Sequence, residues 1–132
     1  MIGLDTNILL RFVLQDNAAQ SERVTAFFRR LPEIGPGYIN CITLMEFAWF
    51  LRKRIRLTRE QVIDGISGLL DSADIVLEDE PIVEEALDTM GASQAEFADV
   101  FIALRNRNAG CGTTVTFDQQ AAKSIVGMEL LS

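Results

Sequence analysis

Ile2-Gly3-Leu4-Asp5-Thr6-Asn7-Ile8-Leu9-Leu10 is the stretch that decides the fold. A very short β-prone run, Ile2 to Leu4, meets three helix-capping residues, Asp5, Thr6 and Asn7, and then an apolar helical run from Ile8 to Leu14. A strand that passes directly into a helix is half of a βαβ unit, and the same alternation continues to the end of the chain. A second helix is expected from about Ala18 to Leu31, with Val24, Phe27, Phe28 and Leu31 on one face and Pro32 as its stop. Gly37 to Asn40 reads as the second strand. The helix after it, Ile42 to about Arg54, is apolar almost all round, so it is predicted to be mostly buried, with Phe47, Trp49 and Phe50 in the core.

The remaining elements follow from capping and periodicity. Thr58 and Gln61 have capping-box spacing, and Val62, Ile63, Ile66, Leu69 and Leu70 continue that helix's buried face. Ile75 to Leu77 is the third strand. Asp79 is a cap for a helix through Met90, with Pro81 in its first turn and Gly91 at its stop. Ser93 and Glu96 repeat the capping-box spacing ahead of a helix from Gln94 to about Arg107. Gly110 and Gly112 turn the chain into the strand Thr113 to Thr116, and a short helix near Gln119 to Ile125 precedes a last strand near Met128 to Leu131. The expected fold is α/β, a three-layer α/β/α sandwich around a central, mainly parallel sheet of about five short strands. One domain is expected to span residues 1–132.

Composition narrows the function classes. With 132 residues, 48% of them apolar, the chain has enough material for one core. Nineteen acids against twelve bases give a formal charge of −7, which argues against nucleic-acid binding through a general phosphate-binding surface. A nuclease remains open, because divalent cations bound by converging acids reverse the local sign. Cys41 and Cys111 stand far apart in a chain without histidine, so both are expected to be buried free thiols rather than a zinc site or disulfide. Runs such as Ile8 to Leu10 and Val100 to Leu104 fall well short of the ~18 apolar residues a membrane span needs. The N-terminus lacks the pattern of a signal peptide, and a cytoplasmic location is expected.

Four acids stand apart. Asp5, Glu46, Asp99 and Asp118 each have apolar or small neighbours and no Lys or Arg three or four positions away. A carboxylate in a packed element without a partner costs several kcal/mol, so these four are expected to share a cation. Asp5 and Asp118 both follow strands, where open parallel sheets bind ligands. The competing reading makes each of those two a helix cap, Glu46 a solvated carboxylate, and Glu96 the reciprocal member of its capping box. The basic run Arg52-Lys53-Arg54, with Arg56 and Arg59 beyond it, reads as a solvated helix end, with substrate phosphate as its second reading.

Leu4-Asp5-Thr6-Asn7, Ile42-Thr43-Leu44-Met45-Glu46-Phe47, Phe97-Ala98-Asp99-Val100-Phe101-Ile102-Ala103 and Thr116-Phe117-Asp118 together resemble the PIN-domain family, in particular its VapC-type toxin ribonucleases. The resemblance spans the chain in order and spacing. It implies a metal-dependent endoribonuclease, the toxin of a toxin-antitoxin pair, with an RNA substrate, a cognate antitoxin protein and a homodimeric state. Carried over by position, Asp5, Glu46 and Asp99 match the family's core acids and Asp118 its fourth. Thr6, Asn7, Glu96 and Thr116 are supporting residues, and Glu96 stands where many relatives have Asp. The implied cofactor is Mg²⁺ or Mn²⁺, one or two ions held by Asp5, Asp99 and Asp118 with Glu46, a choice that suits a histidine-free oxygen donor set. Two other classes compete: a phosphoacceptor receiver-like domain, whose adjacent acidic pair is missing here, and a catalytically silent binding module that keeps the fold.

Overall fold

The computed structural model describes residues 1–131. Strands β1 (Ile2–Gly3), β2 (Gly37–Ile39) and β3 (Ile75–Leu77) form one sheet in that order, and β4 (Thr114–Thr116) pairs with β5 (Met128–Leu130). All pairings are parallel. The helices are α1 (Thr6–Leu14), α2 (Ala18–Ile34), α3 (Cys41–Trp49), α4 (Arg59–Asp71), α5 (Glu80–Gly91), α6 (Phe97–Asn108) and α7 (Gln119–Ser124). This is the mixed α/β class expected. The five strands are divided between a three-stranded and a two-stranded ladder instead of one continuous hydrogen-bonded sheet. Strands of two or three residues supply few ladder bonds, so side-chain burial does most of the stabilising.

That burial is contiguous. Leu9, Leu31, Ile39, Leu44, Phe47, Leu51, Ile66, Val83, Met90 and Val100 are fully buried and belong to one cluster. Gly37 shows how tightly β2 is packed, since a Cβ there would lie 2.9 Å from Leu4 Cδ1. The capping box of α4 forms in full, Thr58 Oγ1 accepting from the Gln61 amide at 3.1 Å and Gln61 Oε1 accepting from the Thr58 amide at 2.8 Å. No helix among the described residues is long and apolar enough to cross a membrane.

Several expectations are corrected. Pro32 does not stop α2; it lies in the last turn, where the helix runs on to Ile34 and closes with Gly35 N–H donating to Leu31 O at 2.7 Å. The helix expected to reach Arg54 ends at Trp49 and continues as a π-helical turn, Phe50–Arg54, in which Ile55 N–H donates to Phe50 O at 3.1 Å. Its burial is one-sided. Thr43, Leu44, Phe47 and Ala48 face inward, while Ile42 is 72% and Trp49 52% exposed, so Trp49 is not a core residue. The capping box at Ser93 and Glu96 does not form, because α6 begins at Phe97 and Ser93 Oγ donates to Thr89 O at 2.7 Å and accepts from the Ala95 amide at 3.2 Å. Asp79 precedes α5 with φ 56° and makes no side-chain cap bond. Both cysteines are free, but Cys111 is exposed and Cys41 only partly buried.

Candidate active site

Asp5 sits where β1 ends and α1 begins. Leu4 N–H donates to Tyr38 O at 2.8 Å, extending the register of β1 along β2, and the next residue caps α1 with Oδ1 accepting from the Thr6 amide at 2.8 Å. One carboxylate oxygen is thereby oriented and the residue remains exposed. Thr6 beside it is buried, and its Oγ1 is without a hydrogen-bond partner among the described residues. A buried hydroxyl in that condition costs about 1–3 kcal/mol. Asn7 is exposed.

Asp118 repeats this construction at β4. Its Oδ1 accepts from the Ala121 amide at 3.0 Å as the cap of α7, and its own N–H donates to Thr116 Oγ1 at 3.0 Å. Thr116 thus supports the acid directly. Both strand-end acids are therefore helix caps, and capping does not preclude a ligand role, because each uses one oxygen. Glu46 lies on the exposed side of α3 with Ile42 and Trp49 one turn away on either side. Solvent, not a distant partner, hydrates it, so the desolvation argument made for all four acids holds for Asp99 alone.

Asp99 stands in the first turn of α6, partly buried. Burial pushes its carboxyl above the usual carboxylate range, the charges of Asp118 and Glu96 push the same way, and Lys53 opposes them. Asp99 and Asp118 are thus brought into one electrostatic neighbourhood. Glu96 is compensated differently: Arg52 grips both its oxygens through Nε at 3.2 and 3.1 Å and through Nη2 at 3.1 Å, and Arg52 Nη1 donates to Leu57 O at 3.2 Å. None of the salt bridges among the described residues involves Asp5, Glu46, Asp99 or Asp118.

The group whose ligand atoms lie within 4.8 Å of one another is a different one, Cys41, Glu78 and Asp79. It occupies the carboxyl ends of β2 and β3. By spacing it can take a metal ion, but each of its three groups already has a partner within the protein. Arg105 Nη1 donates to Asp79 Oδ2 at 2.8 Å and to Cys41 Sγ at 3.0 Å, and Glu78 Oε1 accepts from the Cys41 amide at 2.9 Å. That amide holds the Glu78 carboxyl below its usual range, and burial, reinforced by Glu78, pushes the Cys41 thiol up to about 11. A protonated thiol and a guanidinium are poor company for a hard cation. Asp5, Glu46, Asp99 and Asp118 offer only oxygen donors, the kind Mg²⁺ or Mn²⁺ prefers, and Asp5 adjoins the unpartnered Thr6 hydroxyl, but among the described residues no three of the four meet that 4.8 Å spacing. From sequence Asp79 reads only as a helix cap and Glu78 carries no signal, although both follow a strand as Asp5 and Asp118 do. A cleft of about 510 Å³ lies near the start of β4 and β5 among Val100, Leu104, Arg107, Thr113 and Ile125, and contains none of the four acids.

Strand-end carboxylates, two more acids from α3 and α6, and no ion pair on any of the four are now in place. The family model for the PIN domain matches residues 2–124. The chain belongs to the PIN-domain family. PIN domains are generally nucleases that use divalent metal ions and act on nucleic acid. No curated protein matches this chain.

Proposed function

We propose that this PIN protein is a Mg²⁺- or Mn²⁺-dependent endoribonuclease of the VapC type, the toxin partner of a cognate antitoxin. It acts in the cytoplasm as a homodimer of single-domain chains. The observation that carries the reading is the PIN-domain match over residues 2–124, supported by Asp5 and Asp118 at strand ends and by Asp99, partly buried under the charge of Asp118 and without an ion pair among the described residues. The toxin role, the RNA preference and the dimer rest on the sequence resemblance.

In this mechanism Asp5, Asp99 and Asp118, with Glu46, would hold one or two divalent ions. When bound, such ions supply neutralisation of phosphate charge and a route to hydroxide near neutral pH. Asp5 and Asp118 each keep one oxygen on a backbone amide, which fixes the direction of the other. Asp99, the partly buried member, contributes the charge whose desolvation a cation offsets. Glu46, exposed and without an ion pair among the described residues, is the group assigned to accept the proton of an attacking water.

Purified protein incubated with a mixed RNA pool and Mg²⁺ or Mn²⁺ should cleave it, chelation should stop cleavage, and D5A should not cut. Metal-independent cleavage, or full activity of D5A, would overturn the reading. No cleavage, together with retained binding of a basic peptide, would favour the silent binding module.

A further inference from the structure

We propose that Trp49 and Lys53 form a base-stacking platform and a phosphate contact that hold single-stranded nucleic acid against the acidic centre. The inference rests on the nuclease reading for what happens to the bound strand, and on the geometry of α3 for the binding itself. The buried face of α3 is supplied by Leu44, Phe47 and Ala48, so Trp49 adds a large ring that the core does not use. Trp49 is half exposed and lies three positions from Glu46, hence on the same side of the helix. A small cleft of about 50 Å³ brings Trp49 and Lys53 together with Glu96, Phe97 and Ala98, the residues leading directly to Asp99. The ring therefore stands one helical turn from Glu46, and the cleft it shares with Lys53 reaches Ala98, the residue before Asp99.

Charge completes the argument. Arg52, the neighbouring base, is committed to Glu96 and to the Leu57 carbonyl, whereas Lys53 is exposed and forms no ion pair among the described residues. A chain of net charge −7 cannot hold nucleic acid by backbone attraction alone, so affinity must come from elsewhere. Every base has a π-face, and a single strand can present it to an indole while a duplex keeps its bases stacked on each other.

Trp49 is the only tryptophan, so indole emission reports this position alone. In the E46Q variant with Mg²⁺, a mixed-sequence single-stranded RNA oligomer should quench that emission saturably. An abasic ribose-phosphate oligomer of equal length, and an RNA duplex, should not. In cleavage by the otherwise native protein, W49A should raise KM by about 5- to 150-fold, the worth of one stacked base, with a smaller change in kcat, and W49F should recover part of it. K53A should weaken binding and lower the salt slope by about one. Emission indifferent to RNA, or equal quenching by the abasic strand, would overturn the proposal, as would an unchanged KM in W49A. If W49A instead converts a dimer to a monomer in sedimentation with KM unchanged, the ring serves a second copy of this chain and the proposal falls. Quenching without any cleavage by wild type would sink the nuclease reading and leave the platform, while cleavage insensitive to Trp49 would do the reverse.

Discussion

Two acidic groups stand at strand carboxyl ends in this protein, and they are built in opposite ways. At β2 and β3, Glu78 and Asp79 meet Cys41 and are satisfied by its amide and by Arg105. At β1 and β4, Asp5 and Asp118 cap the helices that follow, the charge of Asp118 reaches Asp99, and no arginine or lysine among the described residues is bridged to these three acids or to Glu46. The first arrangement is complete as it stands, and it ties β2, β3, α3 and α6 together. In the second, Asp99 alone is partly buried without a cationic partner among the described residues, and its charge is the one that a bound cation would offset. Proximity alone would have selected the Cys41 group as the metal site; its bonds to Arg105 count against it, and the sequence resemblance favours the other.

The sharpest way to break this comparison is to remove one acid from each group. E46Q should lower metal-dependent cleavage by on the order of 10²–10³-fold, the cost of losing one preorganised electrostatic group. E78A should leave kcat and KM where they are and destabilise the fold by about 1 kcal/mol, through the lost hydrogen bond to the Cys41 amide. Cleavage assays paired with denaturant melts read both. If E78A abolishes cleavage and E46Q does not, the two groups have been assigned the wrong way round.

A smaller effect tests the metal directly. Asp99 has its folded pKa raised, so its contribution to stability is fully present below about 3.8 and is lost as pH rises through the raised value. At neutral pH the ionised group is a cost that a divalent cation offsets. Mg²⁺ at ten times its Kd should then stabilise the wild type by about 1.4 kcal/mol, seen as a higher Tm at pH 7 and a much smaller shift near pH 4. D99N should melt no lower than wild type without metal and lose the response. An equal Mg²⁺ response in wild type and D99N would remove Asp99 from the ligand set.

How much of this was legible in the sequence depended on whether the signal was local. The strand-to-helix passages at Asp5 and Asp118, the third strand at Ile75–Leu77 and the Thr58 capping box all stand as read, because each is decided by residues within a turn or two. Ser93 and Glu96 had the same capping spacing as Thr58 and Gln61, yet Arg52, distant in sequence, draws the Glu96 carboxylate away. Trp49 was misplaced for a related reason. An all-apolar helix reads as buried on every side, and only the packing of α3 on its neighbours shows that Ile42, Glu46 and Trp49 share the open face. Whether α3 and α6 bring their acids to the strand ends is not readable from spacing, since it depends on how two helices pack; the structure brings Asp99 within reach of the charge of Asp118.

Returning to the satisfied group, R105A removes the one base that meets both Asp79 and Cys41. Asp79 and Arg105 are each about two-fifths exposed, so the loss should lie near 0.5–1 kcal/mol and shrink in high salt. The salt dependence is what separates this from a packing defect. A loss of several kcal/mol that salt does not change would show that Arg105 acts by filling space in α6.

The smallest expected effect concerns the thiol, and it carries a sign that distinguishes a structural cluster from a reactive one. Burial and Glu78 raise Cys41 from an ordinary 9.0 to about 11, so the folded state favours the protonated form. Stability from this source is fully present below 9.0 and is lost as pH rises toward 11. Denaturant midpoints measured between pH 8 and pH 10.5 should therefore fall more steeply for wild type than for C41S, which has no thiol to ionise. Alkylation at pH 7 should label Cys111, which is exposed, well before Cys41. If Cys41 is labelled first, its thiolate is stabilised by Arg105 more than it is penalised by burial and Glu78. The β2–β3 group would then be reactive, and the contrast with the unpaired acids of β1 and β4 would lose its physical basis.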